Sequence, residues 1–136
     1  MKNRILYVVR GVPSSGKSSL ADSIVGAENN IAADDYFYEI GNGEYTFDFR
    51  KLGDAHKYCQ AKVKELLESG VPKVAVSNTS TRECDVNLYK KIGEDAGYRV
   101  FVLTCEKWHE NTNSHGVPNK SIERMASQLK SSIKLK

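Results

Sequence analysis

The chain has 136 residues, of which 40% are hydrophobic and 27% charged, a composition that indicates one globular domain and excludes an intrinsically disordered chain. Its formal net charge of +3 is compatible with a polyanionic partner but is too small to establish one. The three cysteines form no C-x-x-C pair, so we expect no zinc site and reduced thiols in a cytoplasmic protein. No stretch is long enough to span a membrane. We expect a monomer or weak dimer.

The first predicted element is a strand, RILYVV at residues 4–9, whose continuous apolar and β-branched run is typical of a strand buried on both faces. A glycine-containing turn follows this strand. A helix beginning KSSLADSIVGA comes next, with Leu20, Ile24 and Val25 on one face. Strand, turn and helix in this order are the context that a phosphate-binding motif requires.

The turn carries Gly11, Gly16, Lys17 and Ser18 in the spacing G-x-x-x-x-G-K-S. Glycines let backbone amides approach the phosphates of a nucleoside triphosphate closely, and the start of the following helix attracts negative charge. A lysine at this position reaches the β- and γ-phosphates, and the serine hydroxyl is a ligand for Mg²⁺. The residues predicted to contact the nucleotide are Gly11, Pro13, Ser14, Ser15, Gly16, Lys17, Ser18 and Ser19.

Two adjacent acids follow the next predicted strand, NIAA at residues 30–33. A carboxylate at this place is suited to act as the general base that aligns an acceptor hydroxyl in phosphoryl transfer. Because neighbouring side chains of an extended chain point in different directions, we expect only one of Asp34 and Asp35 to face the site. The alternative is that both acids only cap a turn.

The segment after the acids, YFYEIGNGEYTFDF, is rich in aromatic, acidic and glycine residues and is predicted to be an irregular loop with a turn at residues 41–43. Its rings either cover the edge of the sheet, the interpretation we favour, or offer stacking surfaces to single-stranded nucleic acid. These rings belong to Tyr36, Phe37, Tyr38, Tyr45, Phe47 and Phe49.

Helices and strands alternate through the rest of the chain, which predicts one domain over residues 1–136 with the three-layer α/β/α P-loop NTPase fold and a mostly parallel sheet. The carboxyl ends of the strands, with the Gly11 turn, the two acids and residues 77–79, should meet at one edge, where ligands of such folds bind. The next predicted elements are a helix over 52–68, a strand over 73–77, a helix from near Thr81 and a strand over 98–104. Ser80 and Glu83 have the spacing of a capping box at the start of the second of these helices. After them we expect a lid over about 105–118, a last helix that includes Met125, and a frayed basic tail over about 130–136.

Other classes of P-loop protein fit the sequence less well. Guanine-specific switches carry an N-K-x-D element, but NKSI at residues 119–122 lacks the aspartate. Motor and transport ATPases need a hydrophobic strand that ends in an acid, whereas KVAVSNTS ends in Ser77 and Asn78. The favoured interpretation is therefore a kinase.

Several segments together carry a resemblance to a known family. The segments RGVPSSGKSSLA, ADDYFY, LGDAHKYCQ, VAVSNTSTRE and SHGVPNKSIERM occur in that order. This order resembles the polynucleotide-kinase-like P-loop family, which includes the phage 5′-polynucleotide kinases and the NEDD4-binding-protein kinase domain. The DDYFY and HGVP stretches resemble the latter branch more closely, and the resemblance covers nearly the whole chain.

The resemblance implies an ATP-dependent transfer of the γ-phosphate to a 5′-hydroxyl of RNA or DNA. Lys17 and Ser18 match the phosphate and magnesium ligands of the family, and Asp34 matches its catalytic base. At the acceptor site, Asn78, Thr79 and His56 match family positions, and we expect contributions from Asp35, Arg82 and Arg124. For His56, a hydrogen-bonded and partly buried side chain without a catalytic role is an equally good interpretation.

The sequence also departs from the family pattern. Phe37 stands where the phage enzymes have an arginine, and Thr112 replaces the lid arginine that would lie over the ATP phosphates. Arg124, Arg82 or His115 would have to supply that charge. Two alternatives therefore stay open: a kinase acting on a nucleoside or other small metabolite, and an ATP-binding protein with little or no catalysis.

Overall fold

The computed structural model describes residues 3–12, 15–80, 82–105 and 124–125. The helices and strands are, in chain order, β1 (Ile5–Gly11), α1 (Lys17–Val25), β2 (Asn30–Ile31), α2 (Asp35–Ile40), α3 (Leu52–Glu68), β3 (Lys73–Ser77), α4 (Glu83–Asp95) and β4 (Arg99–Cys105). Short 3₁₀ turns cover Ala27–Asn29 and Phe49–Lys51.

The strands in the described part of the chain form one parallel sheet in the order β2-β3-β1-β4. β1 lies between β3 and β4, and its Val8 is aligned with Val76 on one side and Val102 on the other. Leu6, Val8 and Val9 are fully buried, as the unbroken apolar run of this strand predicts.

Helices cover both faces of this sheet. On one face, Leu6 and Val8 pack in a cluster with side chains from α2, α3 and α4, and on the other face Val9 packs with Ala21 of α1. The predicted α/β class, with three layers, a parallel sheet and the P-loop NTPase fold, is confirmed. The larger core cluster comprises Leu6, Val8, Ala33, Phe37, Ala55, Cys59, Val63, Leu67, Val74, Val76, Tyr89 and Tyr98.

The segment after the two acids differs from its prediction. Residues 35–40 form the helix α2 instead of an irregular loop, whereas the predicted turn at residues 41–43 is present. The reason is that Phe37 is fully buried in the larger core cluster. Tertiary packing stabilises this short helix, and the local composition gives no sign of that packing.

α4 begins later than predicted, and the expected Ser80–Glu83 capping box is wrong. Ser80 has a φ of +43°, in the left-handed region, whereas an N-cap residue is extended. Arg82 takes the N-cap position, and the carboxylate of Asp85 accepts a hydrogen bond of 3.3 Å from its backbone N–H. In contrast, α3 and β3 have the predicted bounds.

The helices within the described ranges include none that is long and apolar enough to cross a lipid bilayer. The predicted lid, last helix and basic tail lie outside the described residues, apart from Arg124 and Met125, which are helical.

Candidate functional site

The carboxyl ends of three strands meet at one edge of the sheet, as the sequence predicts. The backbone N–H of Gly11, at the end of β1, donates a hydrogen bond of 3.1 Å to the carbonyl of Thr79, which follows β3. The backbone N–H of Ala33, which follows β2, donates to the side-chain oxygen of Asn78 at 2.8 Å. These two bonds bring the phosphate-binding turn, the acids and residues 77–79 together.

The two glycines of the phosphate-binding turn are needed for different reasons. Gly16 precedes α1 with a φ of +86° and a ψ of +12°, which is left-handed backbone, but a Cβ there would meet no atom within 4 Å. At Gly11 a Cβ would overlap Ser15 Oγ and would lie 2.8 Å from the carbonyl oxygen of Cys105. Conformation therefore requires glycine at position 16, and close packing requires it at position 11.

Ser15 carries a buried hydroxyl in this turn. The residue is 7% exposed, and its Oγ has no hydrogen-bond partner among the described residues. A buried hydroxyl without a partner destabilises a protein by about 1–3 kcal/mol. Such a group beside the start of a helix is the kind of donor that a bound phosphate oxygen would satisfy. Pro13 and Ser14, the other residues predicted here, lie outside the described residues.

Lys17 is partly buried at the first position of α1, and its Nζ donates to the carbonyl of Val12 at 3.5 Å. Burial lowers the pKa of Lys17, while the nearby charges of Asp34 and Cys105 oppose that shift. The carboxylate of Asp34 is therefore within electrostatic range of the Lys17 ammonium.

The start of α1 is exposed and carries no compensating acid. Ser18 and Ser19 are both exposed, and the first turn of α1 contains neither Asp nor Glu. The positive end of the helix dipole is therefore available to an anion. The exposed Ser18 hydroxyl is an oxygen donor of the kind that Mg²⁺ takes together with phosphate oxygens and water.

The two adjacent acids have different partners. Asp34 Oδ1 accepts a hydrogen bond of 3.1 Å from the hydroxyl of Tyr45, and its side chain makes no capping bond to α2. Asp35 Oδ2 instead accepts from the backbone N–H of Ala32 at 2.9 Å. Burial raises the pKa of Asp35, although the bond to Ala32 acts against that rise. Asp35 thus stabilises the turn, as the alternative interpretation expected of both acids, whereas Asp34 binds Tyr45 and is within electrostatic range of Lys17.

The residues predicted at the acceptor side differ in how they are engaged. The side chain of Asn78 makes two hydrogen bonds. Its oxygen accepts from the backbone N–H of Ala33, and its Nδ2 donates to Cys59 Sγ at 3.5 Å. Thr79 contributes its carbonyl to the bond with Gly11. His56 is exposed near the start of α3, so the alternative of a partly buried structural histidine is wrong, and the contact with an acceptor stays a prediction.

The predicted arginines lie on exposed surfaces. Arg82 is exposed at the N-terminus of α4, and its Nη2 lies 3.3 Å from Asp85 Oδ1, an ion pair that raises the pKa of Arg82. Arg124 is exposed and helical. Thr112 and His115 lie outside the described residues.

Two residues of the site were missed by the sequence reasoning. Arg10 is 4% exposed, and its Nε donates to the carbonyl of Ser80 at 2.9 Å, which holds the loop after β3 against the phosphate-binding turn. An arginine inside an apolar strand, directly before the motif, was a signal that could have revealed it. Tyr45, the hydrogen-bond partner of Asp34, gave no such signal, because it stands in a segment predicted to be an irregular loop.

A comparison of sequences relates the chain to a human protein. No family model matches the chain. The chain is 32% identical over 133 residues to NEDD4-binding protein 2 of Homo sapiens, a match that includes 89% of this chain and 7% of the human protein. The chain thus spans a small part of the length of this relative.

Comparisons of structure give the same fold. A chain in the structure of the Pnkp1/Rnl/Hen1 RNA repair complex superposes with a TM-score of 0.69 and 18% identity, covering 96% of this chain and 45% of that one. The AvrRxo1-ORF1:-ORF2 structure with ATP gives a TM-score of 0.53 at 15% identity, covering 75% of this chain and 37% of that one. Likeness in sequence to NEDD4-binding protein 2 and in fold to the Pnkp1 complex confirms the resemblance to the polynucleotide-kinase-like P-loop group.

Proposed function

We propose that the protein is a P-loop kinase that transfers the γ-phosphoryl group of ATP to a hydroxyl, with the 5′-hydroxyl of RNA or DNA as the favoured acceptor. The observation that carries this proposal is the meeting of the phosphate-binding turn, the acids and residues 77–79 at one edge of the sheet, where Gly11 bonds to Thr79 and Ala33 bonds to Asn78. At this edge the Lys17 ammonium can bind the phosphates of a nucleotide, and the Asp34 carboxylate can accept the proton of an acceptor alcohol.

On the donor side, the residues present fit the triphosphate of ATP. The left-handed Gly16 turns the chain into α1, the uncompensated start of that helix attracts anions, and Ser15 offers a buried hydroxyl. Lys17 adds a mobile cation that can stabilise the negative charge developing on the transferred phosphoryl group in the transition state. Ser18 would hold Mg²⁺, which neutralises phosphate charge when it is bound.

On the acceptor side, Asp34 would act as the general base. Phosphoryl transfer depends mostly on positioning and on charge stabilisation, so the base has the task of aligning the hydroxyl and accepting its proton. The Tyr45 hydroxyl occupies one oxygen of the carboxylate, which fixes the direction in which the other oxygen is presented. Substrate contacts by Asp35, His56, Asn78, Thr79, Arg82 and Arg124 remain part of the proposal.

The polynucleotide acceptor is supported by the comparisons. One structural neighbour belongs to an RNA repair complex, and the segment order of this chain resembles that of the polynucleotide-kinase-like family. The proposed partners are accordingly ATP with Mg²⁺ and a 5′-hydroxyl end of RNA or DNA, bound by one domain of residues 1–136.

Incubation with labelled ATP, Mg²⁺ and a 5′-hydroxyl oligonucleotide tests the proposal directly. We expect label on the oligonucleotide 5′ end, and we expect Asp34→Asn to remove at least 10²-fold of the transfer rate while ATP affinity stays close to wild type. Asp95→Asn is the control, because Asp95 is an exposed carboxylate that pairs with Lys91 at 3.4 Å on α4. Equal loss of ATP binding and of transfer in Asp34→Asn would contradict the base role.

The two alternatives predict different outcomes. A nucleoside or metabolite kinase would transfer phosphate to a small alcohol with little dependence on salt, whereas binding of a polyanion weakens steeply as salt is added. Thr112 in place of the lid arginine favours the other alternative, a nucleotide-binding protein that does not turn over. That protein would bind ATP and transfer phosphate to none of these acceptors.

A further inference from the structure

The aromatic segment after Asp34 divides into a buried part and an exposed part. Phe37 is fully buried and packs in the core, as the sheet-covering interpretation predicts. Phe47 is 52% exposed and Phe49 is 72% exposed. They are the most exposed of the large hydrophobic side chains in the described residues, and they lie close together in sequence, which makes them a candidate interaction surface.

Phe47 is held in a fixed orientation beside the candidate site. Its ring lies 5.1 Å from the ring of Phe37 and 6.3 Å from the ring of Tyr45, centroid to centroid, and it is nearly parallel to Tyr45, with an interplanar angle of 15°. Tyr45 in turn donates its hydroxyl to Asp34. A continuous row of side chains therefore leads from the proposed base to the exposed ring of Phe47.

We propose that Phe47 and Phe49 form a stacking platform for unpaired bases of a single-stranded acceptor, a proposal that rests on the proposed function. Aromatic rings bind successive bases by stacking, without regard to sequence, because every base has a π-face. A small metabolite held at Asp34 would leave these rings unused. A base-paired end would not offer its bases to them, so the platform selects unpaired ends.

The charges around the platform suit a nucleic acid strand. Arg50 and Lys51 follow Phe49 directly and are both exposed. Arg50 forms a two-point contact with Asp48, with Nε and Nη2 each 3.1 Å from a carboxylate oxygen, which keeps the 3₁₀ turn of residues 49–51 in shape. Because Asp48 pairs with Arg50, Lys51 is the exposed cation that would contact a phosphate of the bound strand.

An abasic walk tests whether bases stack on the protein. The probes are 3′-labelled 5′-hydroxyl DNA and RNA strands of about ten nucleotides, with a single abasic residue moved along the strand, and binding is followed by fluorescence anisotropy. We expect removal of a base near the 5′ end to weaken binding to the wild-type protein about 5-fold or more, and removal of a distant base to have little effect. Equal affinity for every probe would overturn the proposal.

Substitutions of the two rings identify the platform. We expect Phe49→Leu to weaken binding of the intact probe. The double variant Phe47→Leu/Phe49→Leu should weaken it further and should abolish the effect of the abasic residue. The salt dependence of binding should stay unchanged, because the phosphate contacts are kept. Phe101→Leu is the matched control, since Phe101 is 47% exposed and stacks on Tyr7 from β4, the edge strand opposite to β2 and the acids that follow it. Phe49 has no ring contact among the described residues, so its variant should melt at the wild-type temperature.

Phosphate transfer separates failure of the platform from failure of the kinase proposal. Equal transfer to a mononucleoside 3′-phosphate and to the long strand, unchanged in the Phe variants, would leave the kinase standing and overturn the platform. Base-dependent binding that is lost in the Phe variants, without transfer to any acceptor, would support the platform and contradict the kinase. Wild-type affinity in the double Phe variant would assign the rings to a protein partner instead and overturn the platform.

Discussion

The two halves of the candidate site are built in different ways. On the donor side, the phosphate-binding turn consists of neighbouring residues, and its shape depends on the backbone of Gly11 and Gly16. On the acceptor side, Asp34 is positioned by a side chain eleven residues later, and Ala33 by a side chain 45 residues later. Backbone geometry defines one half and tertiary side-chain contacts define the other.

This difference determines what each half tolerates. A turn made of backbone amides is sensitive to any change in φ or in close packing. A carboxylate oriented by a tyrosine depends on individual hydroxyl and amide groups, each of which contributes about 1 kcal/mol. Substitutions that act on one half and spare the other can therefore separate the two.

The largest effect is expected from Lys17→Met, which removes the mobile cation of the donor side. We expect phosphate transfer to fall by about 10²–10³-fold, with weaker ATP binding measured by calorimetry. Because burial lowers the pKa of Lys17, wild-type ATP affinity should decline as the pH rises through a value below that of an ordinary lysine. Lys17→Arg should remove this pH dependence, since arginine stays charged. An alkaline decline that persists in Lys17→Arg would show that another group causes it.

The two glycines should respond in opposite ways to the same pair of substitutions. At position 16 the left-handed φ penalises alanine by about 1–2 kcal/mol, and Gly16→Asn should recover part of that stability because asparagine accepts this conformation. At position 11 the obstacle is the carbonyl of Cys105, so Gly11→Ala should cost about 1–3 kcal/mol and Gly11→Asn should cost more.

Chemical denaturation of the four glycine variants measures this contrast as the free energy of unfolding. The same order of alanine and asparagine at both positions would contradict the division between conformation and packing. Melting in the presence of Mg²⁺ and ATP then shows whether the lost stability also reduces nucleotide binding.

The same division explains how much of the molecule the sequence revealed. The spacing of Gly11, Gly16 and Lys17 between a strand and a helix was sufficient to predict the fold and the strand, turn and helix around the phosphate-binding turn, because these features are local. The convergence of strand ends could also be predicted, since it follows from the handedness of the crossovers. Residues 35–40 were misread as a loop, because Phe37 stabilises α2 through packing against distant elements.

The acceptor side illustrates why the rest could not be predicted. The residue pattern placed Asp34 and Asp35 after a strand but did not show which acid would bind the turn, and only the family resemblance pointed to Asp34 as the base. That choice depends on Tyr45, whose position is fixed by ring contacts with Phe37 and Phe47 rather than by any local pattern. Long-range packing carries information that a motif does not contain.

The smallest effect is expected from Tyr45→Phe, which tests the acceptor side alone. The ring contacts with Phe37 and Phe47 are kept, while the hydroxyl that donates to Asp34 Oδ1 is lost. We expect kcat to fall about 5- to 10-fold, the loss of roughly 1 kcal/mol of orientation, with ATP affinity and its pH dependence unchanged. Burial and the neighbouring Asp34 raise the pKa of Tyr45, so the effect should persist at alkaline pH.

Tyr58→Phe provides the matched control for this positioning role. Tyr58 also donates its hydroxyl to a carboxylate, Glu39 at 2.7 Å, and this bond, together with burial, raises the pKa of Tyr58 to about 12. Its bond joins α2 to α3 and does not involve Asp34. A fall in kcat of the same size in both variants would mean that loss of a tyrosine–carboxylate bond loosens α2 in general. A fall confined to Tyr45→Phe, at equal melting temperatures, would show that orientation of Asp34 limits the rate.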